Sequence, residues 1–386
     1  MSFIITLLAA VFVFSAVIAI HEFGHFAVAK LCGVQVNEFS IGMGPVLLKK
    51  MHHGTQYSLR ALPVGGFVAL EGEESPESQQ AGGEEHSDLE ERPLSQRSGA
   101  DSSPNGGALN GEEVSQPTGK PLNEAPVWQR ALIMAAGACM NFLLGFVVMA
   151  IVLAAQNEPI TSRVIYKINE GALCGQTGLE AGDKVLAVNG RRCFVANDML
   201  YELMRTEDYS ASFTVLRDGK KVELPRVQFD TWQDEDGETH MSLGFTVYGI
   251  RKTPVNVIKE AWNSVLYYGR IIFTSLMDLL RGRESINDLS GPVGIVTAIG
   301  QAASYGWQDL LELLALITVN VGIFNLLPFP ALDGGKVVFL FIEGVTGHAV
   351  PEKIQSGLTL AAFALLFALM IFATYNDIVR LVTGAI

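Results

Sequence analysis

FIITLLAAVFVFSAVIAI runs from Phe3 to Ile20 and leads without a break into His21-Glu22-Phe23-Gly24-His25. From Phe3 to His21 is 18 residues, about 27 Å of helix at about 1.5 Å per residue. The histidines therefore sit near one edge of a bilayer core about 30 Å thick. Spaced four apart on a helix, His21 and His25 project from the same face. Two imidazoles so placed can bind one Zn²⁺, and Glu22 between them can take a proton from the attacking water as general base. Polar side chains inside an apolar helix are costly and usually functional; the plainer alternative is two buried histidines satisfied by interhelical hydrogen bonds. A cleavable signal peptide fits the stretch less well. It has no basic n-region, and its apolar core is longer than the usual 7–15 residues.

The rest of the 386-residue chain agrees with a membrane setting. Mean hydropathy is +0.30 and only 17% of residues are charged, against about 25% in soluble chains. Three further stretches are apolar enough to cross a bilayer, at about 131–155, 310–327 and 358–374. No basic residue precedes the first span, whereas Lys30, Lys49, Lys50 and Arg60 follow it and Arg130 opens the second. The positive-inside rule then puts the N-terminus outside, residues 31–130 in the cytoplasm, 156–306 outside, 336–356 inside and the C-terminus outside.

The net charge of −13 is local. Residues 71–124 hold 13 acidic and 3 basic side chains, which is −10 of the total. The remainder is nearly neutral, so no nucleic-acid-binding surface is expected. That segment is rich in Glu, Ser, Gly, Pro and Gln with almost no aromatics, and it reads as a disordered linker without a catalytic role.

Residues 33–70 read as a small glycine-rich β-hairpin close to the membrane. Residues 55–62 alternate like a strand, and Val36, Phe39 and Ile41 form a weaker partner. Residues 157–250 read as a compact, mostly-β domain. Asn189-Gly190 and Asp218-Gly219 are hairpin-turn signals after apolar strands. This domain also holds Cys174 and Cys193, which are either a disulfide or buried free thiols. From Val255 to Leu280 the apolar residues recur at helical spacing, as in an amphipathic helix on the membrane or a helix packed on protein.

A catalytic zinc takes three protein ligands and leaves a fourth position for water. The extended soluble motif would place a third histidine shortly downstream, but position 31 is Leu and no histidine follows until His52. Asp333 is the remaining candidate, in Asn325-Leu-Leu-Pro-Phe-Pro-Ala-Leu-Asp-Gly-Gly335. Asp-Gly is also an ordinary turn signal. Topology favours the metal, because the third span emerges at the same edge of the bilayer as the histidines. Pro328 and Pro330 break the helix there, and broken backbone at membrane depth is tolerated only beside a cavity or inside protein. Asn325 is either polar glue between helices or a hydrogen-bond donor to substrate backbone or oxyanion.

With HEFGH in the first span and Asn325-x-x-Pro328-x-Pro330-x-x-Asp333-Gly-Gly after the third, the chain resembles the site-2 protease family, in the bacterial branch of regulators of sigma factors. Supporting stretches are Phe39-Ser-Ile-Gly-Met-Gly-Pro45, Leu62-Pro-Val-Gly-Gly-Phe67, Gly137-x-x-x-Asn141 and Gly291-Pro-Val-Gly294. The resemblance implies that His21, His25 and Asp333 bind Zn²⁺, that Glu22 is the catalytic base, and that Asn325, Pro328 and Pro330 line the substrate cleft. It further implies a membrane-associated β-loop over 33–70 and a PDZ domain over 157–250 that takes peptide termini or filters substrates by size. The partners it implies are membrane lipid and single-span membrane proteins, already trimmed outside and cut within their spans, anti-sigma factors among them. The acidic linker has no counterpart in that pattern.

The expected architecture is a polytopic α-helical membrane protein with four transmembrane helices, a membrane-associated β-hairpin element and an inserted mostly-β PDZ domain. In chain order it divides into 1–32 (first span with HEFGH), 33–70 (β-loop), 71–127 (acidic linker), 128–156 (second span), 157–250 (PDZ), 251–306 (amphipathic helix and connector), 307–335 (third span with Asp-Gly-Gly) and 336–386 (connector and fourth span). A transmembrane helix hides its carbonyls in internal hydrogen bonds, so a substrate must unwind before water attacks, and a β-edge can hold it by strand addition. The alternative function is a PDZ-bearing membrane scaffold with a structural or inactive metal site. An ion or metal transporter fits less well, because its polar residues would be strung across a pathway rather than clustered at one edge.

Overall fold

The computed structural model describes residues 3–73 and 119–383, apart from 207, 235–236, 238, 284 and 287–288. The acidic linker expected over 71–127 falls mainly on 74–118, outside the described residues.

Helix α1 (Phe3–Leu31) carries a stripe at four-residue spacing, Ala9, Val13, Val17, His21, His25 and Ala29, that turns inward. Phe3, Ile4, Leu7, Leu8 and Phe12 on its other faces are exposed. The helix stops at Gly33, whose φ of 70° suits glycine and lets the Val34 N–H reach back to the Ala29 carbonyl at 2.9 Å. Helix α2 (Val127–Ala155) mirrors it with Ile133, Gly137, Asn141, Gly145, Met149 and Leu153, all buried. Val13 and Val17 share a core with Val148, Met149 and Leu153, so the two helices run antiparallel.

Between these helices lies a β-hairpin of two long strands, β1 (Val36–His52) and β2 (Thr55–Leu70). Each bends midway, at Gly42 (φ 90°) and Gly65 (φ 92°), where a side chain would be strained. The bends fold the pair onto itself, so Phe39 is flanked by Val68 on one side and Tyr57 on the other.

After α2 comes a β-rich unit: β3 (Ile160–Ile168), β4 (Lys184–Val188), β5 (Arg191–Arg192), α3 (Ala196–Met204), β6 (Ser210–Arg217), β7 (Lys220–Gln228), β8 (Asp230–Gln233), β9 (Thr239–Ser242) and β10 (Phe245–Ile250). Its main sheet runs β10-β3-β4-β6-β7, with β5 beside β4. Asn189-Gly190 and Asp218-Gly219 form the two-residue turns expected of them. Their φ values are 49° and 74°, and 49° and 77°, and the pairs Val188–Arg191 and Arg217–Lys220 close them.

The chain then enters α4 (Pro254–Leu280), capped by the Thr253 hydroxyl on the Asn256 N–H at 3.2 Å. The connector expected to follow contains a second helix, α5 (Pro292–Tyr305). Its first turn is held by Asp377, whose carboxylate accepts from the N–H groups of Gly291 and Gly294 at 3.1 and 2.7 Å. Helices α6 (Trp307–Leu326), α7 (Asp333–Thr346) and α8 (Glu352–Thr383) complete the chain. Here too the expectation is revised: the Asp-Gly-Gly turn opens α7, and the connection over 336–356 is largely helical. The sequence pattern missed α5 and α7 because both are short and sit beside glycines and prolines that read as loop.

Four helices, α1, α2, α6 and α8, are long and apolar enough to cross a membrane. The first three form a bundle centred on α2, where small residues allow close approach: a Cβ on Gly145 would meet Val319 at 2.7 Å. Helix α8 is mostly exposed along Leu360, Phe363, Leu365 and Phe367, a surface suited to lipid.

An ion-pair cluster joins α4 to the β-rich unit. Arg270 lies 2.5 Å from Asp198 and 3.4 Å from Glu202, both carboxylates nearly inaccessible, and it also donates to the Arg192 carbonyl. Arg205 pairs with Asp278 of α4. Removing one partner of a buried pair costs about 3–5 kcal/mol because the other charge is left alone. Arg270→Leu should therefore release the β-rich unit from α4, read as faster limited proteolysis near α3 at unchanged helix content. Cys174 and Cys193 are buried free thiols in the core of the same unit. Burial pushes the Cys193 thiol up to about 12, so at pH 8 only roughly one in 10,000 is thiolate. Alkylation of native Cys193 should be negligible at pH 8 and rise only as pH approaches 12, whereas denatured protein reacts at once.

Candidate active site

The inward stripes of α1 and α2 meet at the histidines. Gly24 is what brings the helices together, since a Cβ there would lie 2.5 Å from the Ala136 carbonyl oxygen. Gly137 does the same from α2: a Cβ would lie 2.4 Å from Nε2 of His25 and 2.6 Å from Cε1 of His21. Only a bare backbone leaves room between the rings.

Helix α7 delivers the third group. Asp333 is its first residue, and Gly334 and Gly335 let the turn press against the preceding loop, where Cβ atoms would lie 2.2 Å from the Leu327 carbonyl oxygen and 2.3 Å from that of Phe329. Arg130 at the start of α2 pairs with Glu343 of α7, and Lys336 pairs with Glu73, just past the end of β2, at 2.8 Å. These contacts fix α7 against α2 and the hairpin.

The result is a compact triangle. Asp333 Oδ2 lies 3.0 Å from His21 Nε2 and 3.3 Å from His25 Nε2, and the two Nε2 atoms are 3.2 Å apart. His25 Nδ1 donates to the Ile133 carbonyl at 2.8 Å, which leaves Nε2 with its lone pair. Asp333 Oδ2 is buried, and among the described residues the polar atoms facing it are the two imidazole nitrogens. Lone pairs converging this closely call for a cation among them. The donor set suits zinc, and a tetrahedral zinc with ligands at about 2.0–2.1 Å has ligand–ligand separations of about 3.3–3.4 Å. Among the described residues, His21, His25 and Asp333 are the group able to hold a metal.

The other expected residues are placed nearby. Glu22 sits beside β2, its Cγ 3.6 Å from where a Gly66 Cβ would be. Asn325 is half-buried in the last turn of α6. Pro328 is exposed and Pro330 half-buried in the link of bends and turns to α7, whose course is held by Thr359 donating to the Pro330 carbonyl at 3.2 Å. The sequence reading gave no site role to Ile133, Gly137 or Asn141. A buried asparagine in the middle of an apolar span was the available signal.

A membrane bundle with a His-His-Asp triangle at the end of its first span defines a membrane metalloprotease, and comparison with known proteins agrees. The profile of Peptidase family M50 matches residues 9–369. The regulator of sigma-W protease RasP of Bacillus subtilis is 29% identical over 98% of this chain and 99% of its own length. The zinc metalloproteases RasP of Geobacillus kaustophilus (31%, 97% of each chain) and Bacillus licheniformis (29%, 97% and 99%) are similar to it throughout. The chain belongs to Peptidase family M50, the site-2 protease family of zinc metalloproteases. It is a multi-pass membrane metalloprotease whose cofactor is Zn²⁺.

Gly137→Ala tests the triangle. A methyl group 2.4 Å from a ring nitrogen must displace that imidazole, so zinc affinity should fall by about 10–100-fold or more, measured by chelator competition on protein of unchanged helix content.

Proposed function

We propose that this protein is an intramembrane endopeptidase in which His21, His25 and Asp333 hold the zinc and Glu22 is the general base. The observation that carries the reading is the triangle itself: three donor atoms from α1 and α7 converge, one of them a buried carboxylate oxygen facing both imidazole nitrogens. Zinc held there supplies a Lewis acid that polarises the scissile carbonyl and acidifies water. Glu22 takes the proton of the attacking water on its carboxylate and returns it to the leaving amide nitrogen. Asn325 donates its amide to the substrate backbone, and the Pro328–Pro330 link keeps the cleft beside it open.

The substrates are single-span membrane proteins trimmed beforehand on their outer side, anti-sigma factors included. The name of the Bacillus subtilis relative, a regulator of sigma-W, supports this class. A spanning helix must be unwound before its carbonyls can react. The end of β2 supports capture by strand addition: Gly66–Leu70 pair only with β1 among the described residues and pass beside Glu22. Residues 33–70 are then the membrane-associated β-loop, with Leu47 and Leu48 exposed towards lipid. Residues 157–250 are a PDZ domain, supported by the sheet with β10 at its edge, and they bind peptide termini or exclude bulky substrates. The basic residues after α1 favour a bacterial cytoplasmic membrane with this domain and the N-terminus outside and the catalytic edge facing the cytoplasm.

Glu22→Gln keeps size and hydrogen-bonding shape but removes the base. Cleavage of a trimmed single-span substrate should fall by about 10²–10⁴-fold with zinc content unchanged. Normal cleavage would overturn the mechanism, and loss of zinc would move Glu22 from base to ligand.

A further inference from the structure

We infer that Asn141 of α2 is a positioning residue for the metal centre, an acceptor that fixes the tautomer and ring orientation of His21. The inference rests on the reading of His21 as a zinc ligand. Asn141 is fully buried, and its amide lies 3.2 Å from Nδ1 of His21, on the side of the ring away from the triangle. Its backbone is pinned as well, since the Thr318 hydroxyl donates to the Asn141 carbonyl at 3.3 Å.

The chemistry selects the amide's orientation. A histidine that offers Nε2 to a metal carries its proton on Nδ1, and that proton needs an acceptor. In the structure Nδ2 faces Nδ1 of His21 while Oδ1 is buried without a partner among the described residues. Two donors cannot satisfy each other. Turning the amide half a revolution sets Oδ1 against the imidazole N–H and locks the lone pair of Nε2 towards Asp333 and His25. His25 shows the same logic already in place, with Nδ1 donating to the Ile133 carbonyl.

The two acceptors sit two turns apart on one stripe of α2, and Gly137 lies midway, leaving room for the rings. One face of one helix thus holds both imidazoles from behind. A buried amide that leaves one of its own polar groups unpaired serves packing worse than leucine of similar volume would. Its presence is accounted for by the bond it makes to His21.

The test compares Asn141→Leu, Asn141→Asp and His21→Ala in the full-length, detergent-solubilised protein, with zinc affinity read by chelator competition. Leucine lacks the acceptor and should weaken zinc binding by about 10–100-fold, at an unchanged melting midpoint of the metal-free protein. Aspartate presents an oxygen in the same place and should restore tight binding. Zinc held by the leucine variant as tightly as by the parent overturns the inference. So does equal weakening by leucine and aspartate with a lowered metal-free midpoint, which would make Asn141 a packing residue. Histidine-selective nitrogen NMR of the zinc-loaded parent needs no variant: a protonated, hydrogen-bonded Nδ1 on His21 supports the inference, and a bare Nδ1 overturns it. His21→Ala keeps the two failures apart, because undiminished zinc affinity there removes the ligand reading itself, whatever Asn141 does.

Discussion

The close approach of α1 and α2 at Gly24, Ala136 and Gly137 is the constraint on which the rest of the site depends. Where two helices cross with side chains between them, their axes stand about 8–10 Å apart. Bare backbone at the crossing lets the imidazoles of α1 lie against α2 itself, within reach of its Ile133 carbonyl and the Asn141 amide. Were the helices further apart, the histidines would face lipid or each other, and Asp333 would have nothing to complete.

Elsewhere, buried and half-buried polar contacts tie one element to another. Arg130 and Glu343 tie α7, and with it Asp333, to the start of α2. Asp377 of α8 caps the first turn of α5, and Arg270 ties α4 to the β-rich unit. Buried away from solvent, such groups have few alternative partners, so pairing offsets the cost of burying them. The buried Asp333 oxygen is informative because the polar atoms facing it are the two histidine nitrogens that share its triangle.

Much of this was legible beforehand because membrane proteins obey few rules strictly. An apolar run crossing a bilayer must satisfy its own backbone as a helix, so all four spans were readable, the second and third to within four residues at each end and the fourth short by six and nine. The histidine pair was expected from its spacing and Asp333 from its depth, and the structure brings the donor atoms of all three together. The short helices α5 and α7 were not, since both open with glycine and proline patterns that also signal turns. Asn141 was visible as a polar residue in a span, but its partner lies 120 residues away, and no local pattern links the two.

By itself the sequence determined which segments are long and apolar enough to cross a membrane, which face of α1 carries the imidazoles, and the chemical character of the centre, because periodicity and hydropathy are local properties of the chain. Only the tertiary structure decided that α2 sets the Ile133 carbonyl behind His25 and the Asn141 amide behind His21, and that the first turn of α7 closes the triangle. Those choices depend on how near two helices can come, and that distance is set by glycines that belong to different segments and are read only when the segments meet.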